Sequence, residues 1–113
     1  MHELSIVETM VDMVMEKARE ANAKKVLRVY LVIGELTGVL NDAVELYFAI
    51  LTKDTIAAGA ELFFQRPPTL VRCRNCSTEY TPENMKIVCP QCKEQKIEII
   101  SGRELYIDSL DVE

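Results

Sequence analysis

Apolar residues Val7, Met10, Val11, Val14, Ala18 and Ala21 recur at helical spacing, and Asp12, Glu16, Lys17 and Glu20 fall mostly on the other side. Ser5 precedes this stripe and Glu8 follows three residues later, the pattern of a capping box. A helix from about Ser5 to Asn22 is therefore expected, with Ser5 as its N-cap. In "VLRVYLVIG", Leu27, Val29, Leu31 and Ile33 alternate with Arg28, Tyr30 and Val32, which predicts a strand ended by Gly34. Asn41 is expected to cap a second helix with Val44, Tyr47, Phe48 and Leu51 as its buried stripe, running to about Ala58 before Gly59 stops it. A short strand, "ELFFQ", follows, and Pro67-Pro68 breaks the pattern. After "IEII" and a Ser101-Gly102 turn, Leu105 and Ile107 share a face. Leu110 and Val112 slip by one residue near Ser109, and a β-bulge there would return all four to one side.

Between the prolines and the last strands the periodicity disappears. Residues 67–97 hold all four cysteines, few large apolar residues, and five basic against three acidic side chains. The segment is +2 with its cysteines neutral, so −7 of the chain's net −5 lies outside it. The pattern predicts an α+β fold: a small three-stranded antiparallel sheet covered by two helices, with an inserted four-cysteine zinc-ribbon domain. Residues 1–66 and 98–113 form the main domain in this reading, and 67–97 the insert.

The cysteines form two pairs, "CRNC" (Cys73, Cys76) and "CPQC" (Cys89, Cys92). A Cys-x-x-Cys turn aims two thiolates at one point, and two such turns supply the tetrahedral sulfur set that zinc favours. A redox pair or an iron–sulfur cluster is the weaker alternative, because no single CxxC sits on a thioredoxin-like βαβ unit. Four thiolates leave no open position for water, so a structural zinc is expected rather than a catalytic one.

Composition excludes more than it selects. The hydrophobic fraction is 49%, enough for a core, and no stretch approaches the roughly 20 apolar residues of a membrane span. The N-terminus resembles neither a signal nor a transit peptide, so a cytoplasmic protein is expected. Net negative charge argues against a nucleic-acid partner. No nucleophile–base arrangement, phosphate loop or cofactor fingerprint is present, and no enzyme activity is expected.

The opening "MHELS" carries the only histidine. The His2 imidazole, its backbone nitrogen and the preceding amine can form fused chelate rings, an arrangement that suits Ni(II) or Cu(II). A start methionine before a bulky residue is usually retained, so the amine belongs to Met1. On chemistry alone, a bystander histidine is the commoner reading of this position. Met10, Met13 and Met15 could be taken for a soft-metal stripe, but their spacing places Met10 in the core and the other two at the helix edge.

In family order along the chain, "MHELS", "VIGEL", "CRNC" with "CPQC", and "SGRELYI" resemble the HypA family of nickel metallochaperones for nickel–iron hydrogenase maturation. The resemblance implies a nickel domain built from both ends of the chain around a zinc domain. It implies nickel bound at the "MHE" start through His2 and backbone nitrogens near Met1, His2 and Glu3, with Glu3 supporting the site or its partner contacts. Cys73, Cys76, Cys89 and Cys92 carry over as zinc ligands. Implied partners are the nickel-handling GTPase HypB and the hydrogenase large subunit, with urease a further target for some members, and a homodimer is expected. Ser77 and Lys93 stand where some members carry histidines beside the cysteine pairs. The competing functional class is a zinc-ribbon interaction adaptor without nickel delivery; a thiol-cycling oxidoreductase is a third.

Overall fold

The computed structural model describes residues 2–83 and 86–113, and of His2 only the backbone. Helix α1 spans His2–Glu20. Val7, Met10, Val11, Val14 and Ala18 form its buried face, as the periodicity requires. Its start differs from expectation. The helix begins three residues before Ser5, which therefore does not cap it; the Ser5 carbonyl instead accepts a hydrogen bond from Thr9 Oγ1 at 3.1 Å. An N-cap needs non-helical backbone, and here the helix continues back to Glu3, whose charge favours a helix N-terminus. At the other end, Asn22 adopts φ 53°. Ala23 N–H donates to Ala18 O (2.9 Å) and Asn22 N–H to Arg19 O (3.0 Å). This is a Schellman closure with Asn in place of glycine, and it leaves Ala21 exposed beyond the stripe.

Strand β1 (Val26–Ile33) is central. Helix α2 (Asn41–Leu51) leads to β2 (Glu61–Gln65), which pairs with β1 in parallel, while β6 (Leu105–Val112) pairs with its other edge in antiparallel. The α+β class, the three strands and the two covering helices are as expected, but the sheet is mixed rather than wholly antiparallel. The reason is the connection: a helical crossover returns the chain to the same end of the sheet, which makes its two strands parallel.

The expected bulge is present. Tyr30 pairs with Ser109 and Leu31 with Ile107, leaving Asp108 as the extra residue. Ile107 and Leu110 thereby both reach the helix-covered core. A second irregularity falls between Val26 and Arg28; Val26 is fully buried and Leu27 only half-buried, against the simple alternation.

Helix α2 ends at Leu51, well short of Ala58. Both the hydroxyl and the N–H of Thr52 donate to Phe48 O, at 2.7 and 3.0 Å. Thr55 N–H then bonds to Thr52 O, and Asp54 takes φ 65°. These local bonds satisfy the helix end and turn the chain, so no further helical residues are needed. Leu40 rather than Asn41 occupies the N-cap position; Asn41 Oδ1 accepts from the Arg66 guanidinium at 2.9 Å.

The second sheet also has three strands, the first of them in the chain lying in the middle. It joins β3 (Leu70–Cys73), β4 (Glu79–Tyr80) and β5 (Ile97–Ser101) in antiparallel pairs. The "IEII" segment thus pairs within the cysteine region, whereas the sequence pattern places residue 98 onward in the main domain. The molecule is elongated, 55 × 26 × 17 Å, with the two sheets following one another along the chain.

Candidate metal centre

Strand β3 ends in the first cysteine pair. Cys73 N–H donates to Thr78 O at 2.8 Å, and Ser77 N–H donates to Cys73 O at 2.9 Å. The second pair repeats this pattern. Cys89 N–H donates to Glu94 O at 2.9 Å, and Lys93 N–H to Cys89 O at 3.0 Å. Ser77 and Lys93, each following the second cysteine of its pair, both have φ 66°. The two knuckles are copies of one turn. Each holds a non-glycine residue in the left-handed region, at a cost of about 1–2 kcal/mol. Ser77 and Lys93 are therefore the residues that bend the two turns.

The turns bring the four sulfurs within 4.8 Å of one another. Cys73 Sγ lies 3.5 Å from Cys92 Sγ, and Cys76 Sγ 3.6 Å from Cys89 Sγ. A tetrahedron with metal–sulfur bonds near 2.3 Å has edges of about 3.8 Å, so the donor set fits one tetrahedral ion. Cys73 and Cys89 are buried and Cys76 is exposed. Their protonation is already divided. The Thr78 hydroxyl and backbone N–H draw the Cys76 thiol down to about 6. The side chain of Asn75, then the Glu94 backbone, lowers Cys92. At Cys73 the Cys76 backbone favours the thiolate, but burial and the neighbouring thiols outweigh it and push the group up to about 11. Thiolates close together need a cation, and metal binding releases the remaining protons.

Asn75, Thr78 and Tyr80 were not singled out from sequence. Tyr80 donates its hydroxyl to Ile87 O at 2.9 Å, pinning the irregular segment that leads to the second pair. Burial, then the negative charge of the four sulfurs, raises its phenol above the ordinary range. Beside the cluster, Arg72 bridges Glu79 (2.7 Å) and Glu98 (3.1 Å) across all three strands. No periodic signal marks these residues; their roles come from pairing.

Of the other predicted site residues, Met1 and the His2 side chain lie outside the described residues. Glu3 occupies the first turn of α1. Met10 is core, Met13 is exposed, and Met15 packs at the core's margin; the three do not converge. Among the described residues, the four cysteines are the one group of three or more His, Cys, Asp or Glu side chains placed to share an ion.

The model of the family described as "Hydrogenase/urease nickel incorporation, metallochaperone, hypA" matches residues 1–112. The chain belongs to the HypA family. It is 44% identical over 113 residues to the hydrogenase maturation factor HypA of Dehalococcoides mccartyi, covering all of this chain and 95% of that protein. It is 43% identical over 114 residues to the HypA of Caldanaerobacter subterraneus, covering both chains in full. A solution structure of HypA protein superposes with a TM-score of 0.73 at 25% identity, covering 99% of this chain and 96% of that one. The Ni metallochaperone HypA from Helicobacter pylori, at 24% identity and a TM-score of 0.68, shares the fold over 97% of this chain and 96% of its own. HypA proteins are nickel-incorporating metallochaperones of hydrogenase maturation and not enzymes. No helix among the described residues is long and apolar enough to cross a membrane.

Proposed function

We propose that this HypA-family chain binds Ni(II) at its N-terminus, through the His2 imidazole and the nitrogens around Met1, His2 and Glu3, and delivers it to the nickel–iron hydrogenase large subunit. The observation that carries this reading is the end-to-end family match of a chain whose single histidine stands at position 2. Imidazole and amide nitrogen are suitable Ni(II) donors. An α-helix leaves its first N–H groups without acceptors inside the helix. Because α1 starts at His2, that residue's amide can turn to a metal without breaking the ladder. Ligands at a chain end can be removed one at a time by a partner, which favours transfer over storage.

Cys73, Cys76, Cys89 and Cys92 hold a structural zinc in this proposal. When bound, the ion supplies a cross-link between the two knuckles and charge balance for their thiolates. The working division is a helix-covered nickel module, residues 1–66 with the C-terminal strand, and a zinc module inserted at residue 67. Delivery takes place in the cytoplasm, with the GTPase HypB and the hydrogenase large subunit as partners and a homodimer as the assembled form.

The test is nickel titration of the wild type and His2→Ala, with zinc quantified in the same samples. The expected result is loss of nickel binding with zinc content and fold intact. Normal nickel stoichiometry in the variant would sink the assignment.

A further inference from the structure

We propose that Gly34, Gly102 and Glu104 form a latch that fixes the cysteine module in one orientation against the helix-covered sheet. The chain passes between the modules twice, outward through Pro67-Pro68 and back through Ser101–Glu104. Both passages are tied to the loop that follows β1. Glu35 N–H donates to Pro67 O at 3.0 Å, Leu36 N–H to Gly102 O at 2.7 Å, and Gly34 N–H to Glu104 O at 2.7 Å. The outward passage is also held from its near side, where the Arg66 guanidinium donates to Val39 O at 2.6 Å. Ser101 Oγ joins the two passages by donating to Pro68 O at 2.8 Å.

The centre of this knot has no room for a side chain. A Cβ on Gly34 would stand 2.2 Å from the backbone carbon and oxygen of Gly102 and 2.5 Å from Glu104 Oε1. Gly102 has φ +117°, a conformation that L side chains rarely adopt, and a Cβ there would meet Thr69 Cα at 3.1 Å. Glu104 closes the knot by accepting the Gly102 N–H on Oε1 at 2.8 Å. Two backbones in contact at buried glycines, bonded on both sides, resist a hinge motion between the modules. This gives "VIGEL" and "SGREL" a shared role, since each supplies one of the touching glycines.

The latch has a mechanical consequence. Strand β6 starts at Leu105, directly after Glu104. Leu105, Tyr106 and Ile107 line a groove of about 320 Å³ with Ser5, Ile6, Thr9 and Met10. A tilt of the cysteine module would pull on the strand that borders the first turns of α1.

The experiment uses the full, zinc-loaded chain and residual dipolar couplings, fitted separately for the two modules, in wild type, Gly34→Ala and Glu104→Ala. The wild type is expected to fit a single alignment tensor, and Gly34→Ala to lose that common tensor while dispersed spectra and zinc content show both modules folded. If Gly34→Ala does not fold, Glu104→Ala decides by the same criterion, since it removes only the side-chain closure. Separate tensors in the wild type, or one common tensor in each variant that folds, would overturn the proposal.

Discussion

The two halves of this chain solve the same problem by different means. The helix-covered sheet gathers Val7, Val14, Val26, Val29, Leu31, Ile33, Val44, Phe48 and Ile107 into one apolar cluster. The cysteine module buries little besides Val71 and two of its own thiols. The first half is held by area removed from water, which is non-directional and spread over many residues. The second is held by two copies of a backbone turn aiming four sulfurs at one point, and it is too small to stabilise itself by burial. Damage should therefore be graded in the first half and all-or-none in the second.

The largest break in this contrast is Cys76→Ser. With zinc held as proposed, the cross-link supplies about 10–16 kcal/mol of folding free energy, so the variant should lose zinc and its amide dispersion over residues 70–101. Signals from α1 and β1 should remain in place. Loss of both halves together would show that the core does not stand without the insert. Leu31→Ala is the counterpart. A buried leucine truncation costs about 2–5 kcal/mol, so the denaturation midpoint of the main domain should fall while zinc content stays at wild type.

A smaller effect is expected from Thr52→Val, which deletes the buried hydroxyl bonded to Phe48 O but leaves the N–H bond to the same oxygen. A loss of about 1 kcal/mol in denaturant unfolding is expected, with no change at the cysteines.

The smallest effect concerns acid. The Arg28 side chain at 2.6 Å, then the Tyr30 hydroxyl at 2.7 Å, hold the Asp111 carboxyl below its ordinary range. A carboxylate with a depressed folded value stabilises above its unfolded value and loses that contribution as pH falls through the folded one. Asp111→Asn should accordingly flatten the stability profile of the main domain below about pH 4. Acid should release the zinc proposed for the other half first, because its ligands must be deprotonated. pH titrations following β1 signals and zinc release separately would check both statements.

Sequence periodicity was enough to place α1's buried face, β1, β2 and the bulge beside Ser109, because each reflects a local pattern imposed by one buried side. The two Cys-x-x-Cys pairs were equally legible, since thiolate spacing is itself the chemistry. The early start of α1, the short α2 and the parallel β1–β2 pair were not. Ser5 and Asn41 both had the composition of caps, yet one lies inside its helix and the other accepts a bond from Arg66. Capping composition states what a residue can do, and tertiary partners decide what it does. The assignment of Ile97–Ser101 to the second sheet likewise depended on β3 offering the free edge.

Composition and spacing by themselves determined the helix faces, the strands of the helix-covered sheet and a four-sulfur centre, because these follow from solvent exclusion and ligand chemistry acting over a few residues. The tertiary structure alone decided strand direction, the repeat of one turn around Ser77 and Lys93, and the contact of Gly34 with Gly102. Strand pairing and the glycine contact join segments as far apart in the chain as Val26 and Val112, and no local pattern along the chain records such a meeting.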